Sequence, residues 1–101
     1  MLRSILNRGF SLQFENGLTI SVQFGAGNYC ERRNFTSDFT EDLKTQVIAS
    51  NNAEIAIWDN NNQWFNFGTD QVKGWVNADE VAIWIDKVRR AKNIHTIKRV
   101  K

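Results

Sequence analysis

On either side of Asn16-Gly17 the chain places an apolar residue at every second position. Phe10, Leu12 and Phe14 precede the pair, and Leu18, Ile20, Val22 and Phe24 follow it. A two-residue period belongs to strands, whose side chains point to alternate faces; a helix would scatter these residues around its axis. The turn then sets the register. A two-residue Asn-Gly turn puts Phe14 opposite Thr19 and Gln13 opposite Ile20, mixing polar and apolar side chains on both faces. A three-residue loop, Glu15-Asn16-Gly17 with Gly17 left-handed, pairs Phe14 with Leu18, Leu12 with Ile20 and Phe10 with Val22. One face becomes wholly apolar, and the other carries Ser11, Gln13, Glu15, Thr19, Ser21 and Gln23. An isolated hairpin of this kind is marginal in water. The rest of the chain must cover it.

A second hairpin follows from the same reasoning. In the run AEIAIWDNNNQWFNF, a loop of Asn60-Asn61-Asn62 pairs Ile57 with Phe65 and Ile55 with Phe67. Asn62 takes the left-handed position that Gly17 fills in the first hairpin, a backbone region asparagine tolerates better than most residues. Trp58 then faces Trp64 on the far side of the sheet, beside Glu54, Ala56 and Asn66. A cross-strand aromatic pair contributes about 0.2–1 kcal/mol to a sheet.

The cover is a helix near the C-terminus. Asn77-Ala78-Asp79-Glu80 reads as a capping box, with Asn77 as N-cap and Glu80 reaching back. Val76 and Val81 flank the cap as a hydrophobic staple. Val81, Trp84, Ile85 and Val88 form an i, i+3, i+4, i+7 stripe. Asp79 and Glu80 stand at the positive end of the helix dipole, and Arg89, Arg90 and Lys92 at its negative end. The expected fold is α+β: an antiparallel sheet of four to five strands, built from two β-hairpins, with a C-terminal α-helix packed on one face. With 101 residues the chain is expected to form one domain, residues 1–101, ending in a basic tail from about 94 to 101. Residues 34–52 are less legible. Phe35, Phe39, Leu43 and Val47 recur every fourth position, as in a helix, whereas Thr45 to Ala49 are rich in β-branched residues; an irregular segment followed by a short strand is the expectation.

Charge is unevenly spread. Residues 1–86 hold six Lys/Arg against eleven Asp/Glu, while residues 87–101 hold seven Lys/Arg and no acid. Arg89, Arg90, Lys92, Lys98, Arg99 and Lys101 are therefore the candidate nucleic-acid contacts, expected to bind weakly and without regard to sequence. The basic cluster also reads as a solvated helix end. One cysteine permits no internal disulfide, and one cysteine with one histidine falls short of a zinc site. No segment reads as a signal peptide or a spanning helix. The chain is expected to be cytoplasmic, with no membrane, metal or cofactor involved.

Three surfaces are candidates for function. Gly25 and Gly27 allow backbone N–H groups to converge on an anion; with Asn28, Tyr29, Arg32 and Arg33 they form a candidate site for a small anionic nucleotide. The same glycines also read as a bulge where the backbone turns a corner. Cys30, beside Arg32 and Arg33, has only His95 as a conceivable base and reads better as a small buried side chain. Trp58 and Trp64 are the second candidate, because tryptophan supplies large contact area at low entropic cost and is enriched among interface hot spots. The competing reading is that a loop or residues 1–6 cover them. The basic C-terminus is the third. With no phosphate-binding loop, metal-ligand set or nucleophile–base constellation, an enzyme is not expected.

The run from Phe14 to Cys30, FENGLTISVQFGAGNYC, resembles a pattern in small, uncharacterised bacteriophage proteins that carry an Asn-Gly hairpin followed by Gly-x-Gly-Asn-Tyr-Cys. AEIAIWD and the later Gly74-Trp75-Val76 and Asp79-Glu80-Val81-Ala82 are similar to it as well. Ala26 stands where that pattern has proline between the glycines. The resemblance implies a phage origin, without a known activity or site residues. A phage protein of this size that lacks catalytic residues is expected to bind and inhibit a host defence component, as anti-CRISPR proteins do, acting in the host cytoplasm. A sponge for a nucleotide signal, using Gly25–Arg33, and a nucleic-acid accessory protein, using the basic end, are the alternatives. Self-association is compatible with each.

Overall fold

The computed structural model of the chain describes residues 1–5, 9–24 and 50–98. Five strands, β1 (Leu2–Ile5), β2 (Gly9–Gln13), β3 (Thr19–Gln23), β4 (Asn52–Trp58) and β5 (Val72–Asn77), form one sheet in the order β1-β2-β3-β4-β5. Every neighbouring pair is antiparallel. Helix α1 (Ala78–Arg90) packs on one face, and a single 3₁₀ turn, Ile94–Thr96, follows it. This is the α+β arrangement that the sequence implies. Among the described residues no helix is long and apolar enough to cross a membrane.

The first hairpin has the three-residue loop. Leu12 pairs with Ile20 and Phe10 with Val22. The Phe14 N–H donates to the Leu18 carbonyl at 2.9 Å, and the Gly17 N–H to the Phe14 carbonyl at 3.0 Å. Gly17 sits at φ +88°, a conformation that costs glycine little and most other residues more. Leu18, Ile20 and Val22 are almost wholly buried, joined in the core by Ile55, Ile57, Val76, Trp84 and Val88. Each such aliphatic side chain stabilises the fold by about 1.5–3 kcal/mol relative to remaining exposed.

The second turn also has its expected form. Asn62 is left-handed at φ +61°, and its N–H donates to the Asp59 carbonyl at 3.2 Å. One Asp59 carboxylate oxygen accepts from the N–H groups of Asn61 and Gln63, at 2.8 and 2.9 Å, which fixes the loop from inside. The Phe65 N–H donates to the Ile57 carbonyl at 2.9 Å, and Trp58 bridges to Trp64. Beyond this point the structure corrects the expectation. Ile55 pairs with Val22 on one side and Lys73 on the other, so Phe67 is not its partner. Phe67 instead packs edge-on against Phe65 and Trp84, with ring centroids 5.0 Å away in both cases. Gathering its ring into an aromatic cluster takes the chain out of the ladder. The vacated place beside β4 is filled by β5.

Two further strands escape the alternation rule. β1 is short and carries no regular apolar pattern; its place follows from its pairing with β2, with Leu2 opposite Leu12 and Arg3 opposite Ser11. β5 runs into α1 without a loop, so Asn77 is both the last strand residue and the N-cap. The β4–β5 register shifts between Ala53↔Val76 and Ile55↔Lys73, leaving Gly74 and Trp75 opposite Glu54. Trp75 there adopts φ +57° with 57% of its surface exposed.

The helix start is half of a capping box. The Asn77 side chain accepts from the Glu80 N–H at 2.9 Å, as expected. Glu80 is not engaged with the cap, however: its carboxylate accepts from the Trp84 indole N–H at 3.0 Å and lies 3.8 Å from the Lys73 ammonium. Trp84 is buried to 1% exposure, and a buried indole N–H without an acceptor is costly, so the core takes Glu80 from the cap. Val81 and Ile85 pack against the same core.

Candidate functional site

The face of the sheet away from α1 is built in rows set by strand pairing. Met1 and Gln13 exchange two backbone hydrogen bonds, at 2.6 and 2.8 Å. Gln13 pairs with Thr19, Thr19 with Trp58, and Trp58 with Trp64. One row therefore crosses the sheet from its edge to the tryptophans. The neighbouring row runs Arg3, Ser11, Ser21, Ala56. Alternation keeps both rows off the core face.

At the end of the first row, the rings of Trp58 and Trp64 stack with centroids 5.0 Å apart and planes 29° from parallel. Trp64 remains 41% exposed and Trp58 is half-buried. Met1 and Arg3 stand beside Trp58 and leave Trp64 open to solvent.

Between the rows lies a cleft of about 250 Å³, whose lining includes Arg3, Ser11, Gln13, Thr19, Trp58 and Asn60. Gln13 donates from its amide nitrogen to Asn60 Oδ1 at 3.3 Å. The Arg3 guanidinium contacts the Met1 sulfur at 3.5 Å. Ser11, Gln13 and Thr19 belong to the polar face that the hairpin register defines; Arg3 joins them only because β1 pairs with β2. A second cleft, on the helix side, is apolar and lined by Phe10, Val22, Phe24, Ala53, Val76 and Val81 among others.

Of the remaining candidates, the described ones, Arg89, Arg90, Lys92 and Lys98, do not line these clefts. Gly25, Gly27, Asn28, Tyr29, Cys30, Arg32 and Arg33 lie outside the described residues, as do residues 34–49, Arg99 and Lys101. Arg89 and Arg90 are exposed at the helix end, but both pair with Asp86, at 2.7 and 3.1 Å. The hydrogen bond from Arg89, helped by the charges of both arginines, holds the Asp86 carboxyl below the usual carboxylate range. Lys92 and Lys98 are exposed. Between them, Ile94 and Ile97 are buried in the core, so the basic segment is anchored as far as its 3₁₀ turn. The His95 ring is exposed on that turn, and the described residues hold no cluster of acids, histidines and cysteines that would bind a metal. Comparison with family models, with curated proteins and with solved structures finds no match.

Proposed function

We propose that this chain is a non-catalytic binding protein of bacteriophage type, which docks a host protein through Trp58 and Trp64 and inhibits it. The observation that carries this reading is the stacked tryptophan pair on the face opposite the core helix. Burying Trp64 in the core would have been favourable, yet two fifths of the residue's surface faces water. Large aromatic side chains held rigidly at a surface are the residue type most enriched among binding hot spots. The pair is held by a cross-strand bridge and by a loop fixed through Asp59, so docking it costs little ordering. The resemblance to phage proteins supports a host defence component as the target.

Capture from bacterial lysate tests the reading. The unaltered chain retains one stoichiometric protein partner, and the double variant Trp58→Ser, Trp64→Ser loses it while keeping its melting temperature within a few degrees. Retention of the same partner by the double variant would show that another surface binds.

A further inference from the structure

Ser11 and Thr19 sit on the floor of the cleft beside Trp58, each only 9% exposed. Neither hydroxyl makes a hydrogen bond to another described residue. Buried hydroxyls ordinarily find partners, because leaving one unpaired costs free energy. Both point to a group that is to be supplied from outside. Beside Ser11, its cross-strand partner, Arg3 has no carboxylate partner among the described residues, and its guanidinium donates only to a thioether sulfur, a weak acceptor. Asp59, the acid at the cleft margin, already has one oxygen committed to two backbone N–H groups. The cleft thus offers two hydroxyl donors and a guanidinium fork beside the ring of Trp58.

We propose that this cleft is a binding site for a small ligand that carries an oxyanion on a flat ring, the chemistry of a nucleoside monophosphate. The oxyanion accepts from Ser11, Thr19 and Arg3, whose planar fork matches a phosphate better than a point charge does. The ring lies against Trp58, where stacking tolerates any base. Gln13, whose amide oxygen is left free by its bond to Asn60, faces the ring's polar edge. The volume of about 250 Å³, just under the roughly 300 Å³ at which drug-sized pockets begin, limits the occupant to one small molecule. This site shares Trp58 with the proposed docking surface but needs neither Trp64 nor a protein partner.

The test is titration of the full chain with adenosine monophosphate, adenosine and inorganic phosphate, followed through the indole N–H resonances. The monophosphate gives saturable shifts at one indole, with affinity about tenfold or more above that of either part alone. Thr19→Val and Arg3→Gln each weaken it by about fivefold or more. Thr19→Val leaves the melting temperature unchanged or raises it, since a hydroxyl without a partner contributes no stability. Trp64→Ser leaves nucleotide affinity intact, which separates this site from protein docking. Non-saturating shifts up to about 10 mM, or binding that ignores both Arg3→Gln and Thr19→Val, would overturn the proposal.

Discussion

Asn16, in the first hairpin loop, donates from its side-chain amide to the carbonyl of Val88, in the last turn of α1, at 2.8 Å. The same nitrogen reaches the carbonyls of Arg89 at 3.3 Å and Ala91 at 2.8 Å. Its oxygen accepts from the Leu18 N–H at 3.0 Å. The last carbonyls of a helix have no partner within it, and here a residue more than seventy positions away supplies one. The hairpin and the helix are thereby locked in one relative position.

Removing that lock has a predictable cost. Asn16→Ala removes the side-chain donor from the carbonyls of Val88, Arg89 and Ala91, of which Val88 keeps the Ala91 N–H at 3.3 Å, and is expected to destabilise by about 1–3 kcal/mol. Asn16→Asp is expected to be worse, because a carboxylate replaces the donor at the negative end of the helix dipole. Chemical denaturation of both variants measures this. Equal stability of Asn16→Asp and the unaltered chain would contradict the cap.

The glycines give a rank order. A Cβ built on Gly9 lies 1.9 Å from the Val22 carbonyl oxygen, so the backbone itself must move. A Cβ on Gly17 meets only the Asn60 side-chain amide, its nitrogen at 3.0 Å, which can yield. Gly9→Ala should therefore cost most, on the order of 2–4 kcal/mol. Gly17→Ala should cost about 1 kcal/mol or somewhat more, and Gly17→Asn less, because asparagine accepts positive φ. Thermal unfolding checks the order; a harmless Gly17→Ala would contradict a left-handed residue in the loop.

Two tryptophans in this fold should respond in opposite ways. Trp84 fills the core and satisfies its indole through Glu80, so Trp84→Ala is expected to cost about 3–5 kcal/mol. Trp75 is exposed and left-handed, a conformation that costs a residue with a Cβ about 1–2 kcal/mol. Trp75→Gly should then be more stable than Trp75→Ala by about 1 kcal/mol. Indistinguishable melting curves for the two Trp75 variants would mean that the bulge carries no such strain.

Asp86 governs how much positive charge the helix end offers. With Arg89 and Arg90 paired to it, nucleic-acid binding should be weak. Asp86→Asn should free both arginines and steepen the fall of log K with log salt, each added phosphate contact contributing a slope of about 0.9. The carboxyl is depressed in the folded state, so its stabilising contribution is complete above the ordinary value of about 3.9 and disappears as pH falls through the lower folded value. Carboxyl NMR titration should place Asp86 below that ordinary value. An unchanged salt slope in Asp86→Asn would show the arginines to be free already.

Features set by near neighbours along the chain are legible in the amino-acid sequence by itself. The loop at Asn16-Gly17, the turn at Asn60–Asn62, the Trp58–Trp64 pair and the stripe of α1 all follow from residue period and turn chemistry within about fifteen positions. Three outcomes depended on how the elements pack against one another, even where the partners are only four residues apart. Ile55 was expected to pair with Phe67, but Lys73 holds the place and Phe67 packs in the aromatic cluster around Trp84. Glu80 fits a local cap, but the buried indole of Trp84 claims its carboxylate. Asn16 reads as a turn residue, and only the packing of α1 across the sheet brings the helix carbonyls within its reach. The cleft divides in the same way. Ser11, Gln13, Thr19 and Trp58 share a face by strand alternation, a local rule; Arg3 reaches it because β1 pairs along an edge, where backbone hydrogen bonding decides and no side-chain pattern announces the choice.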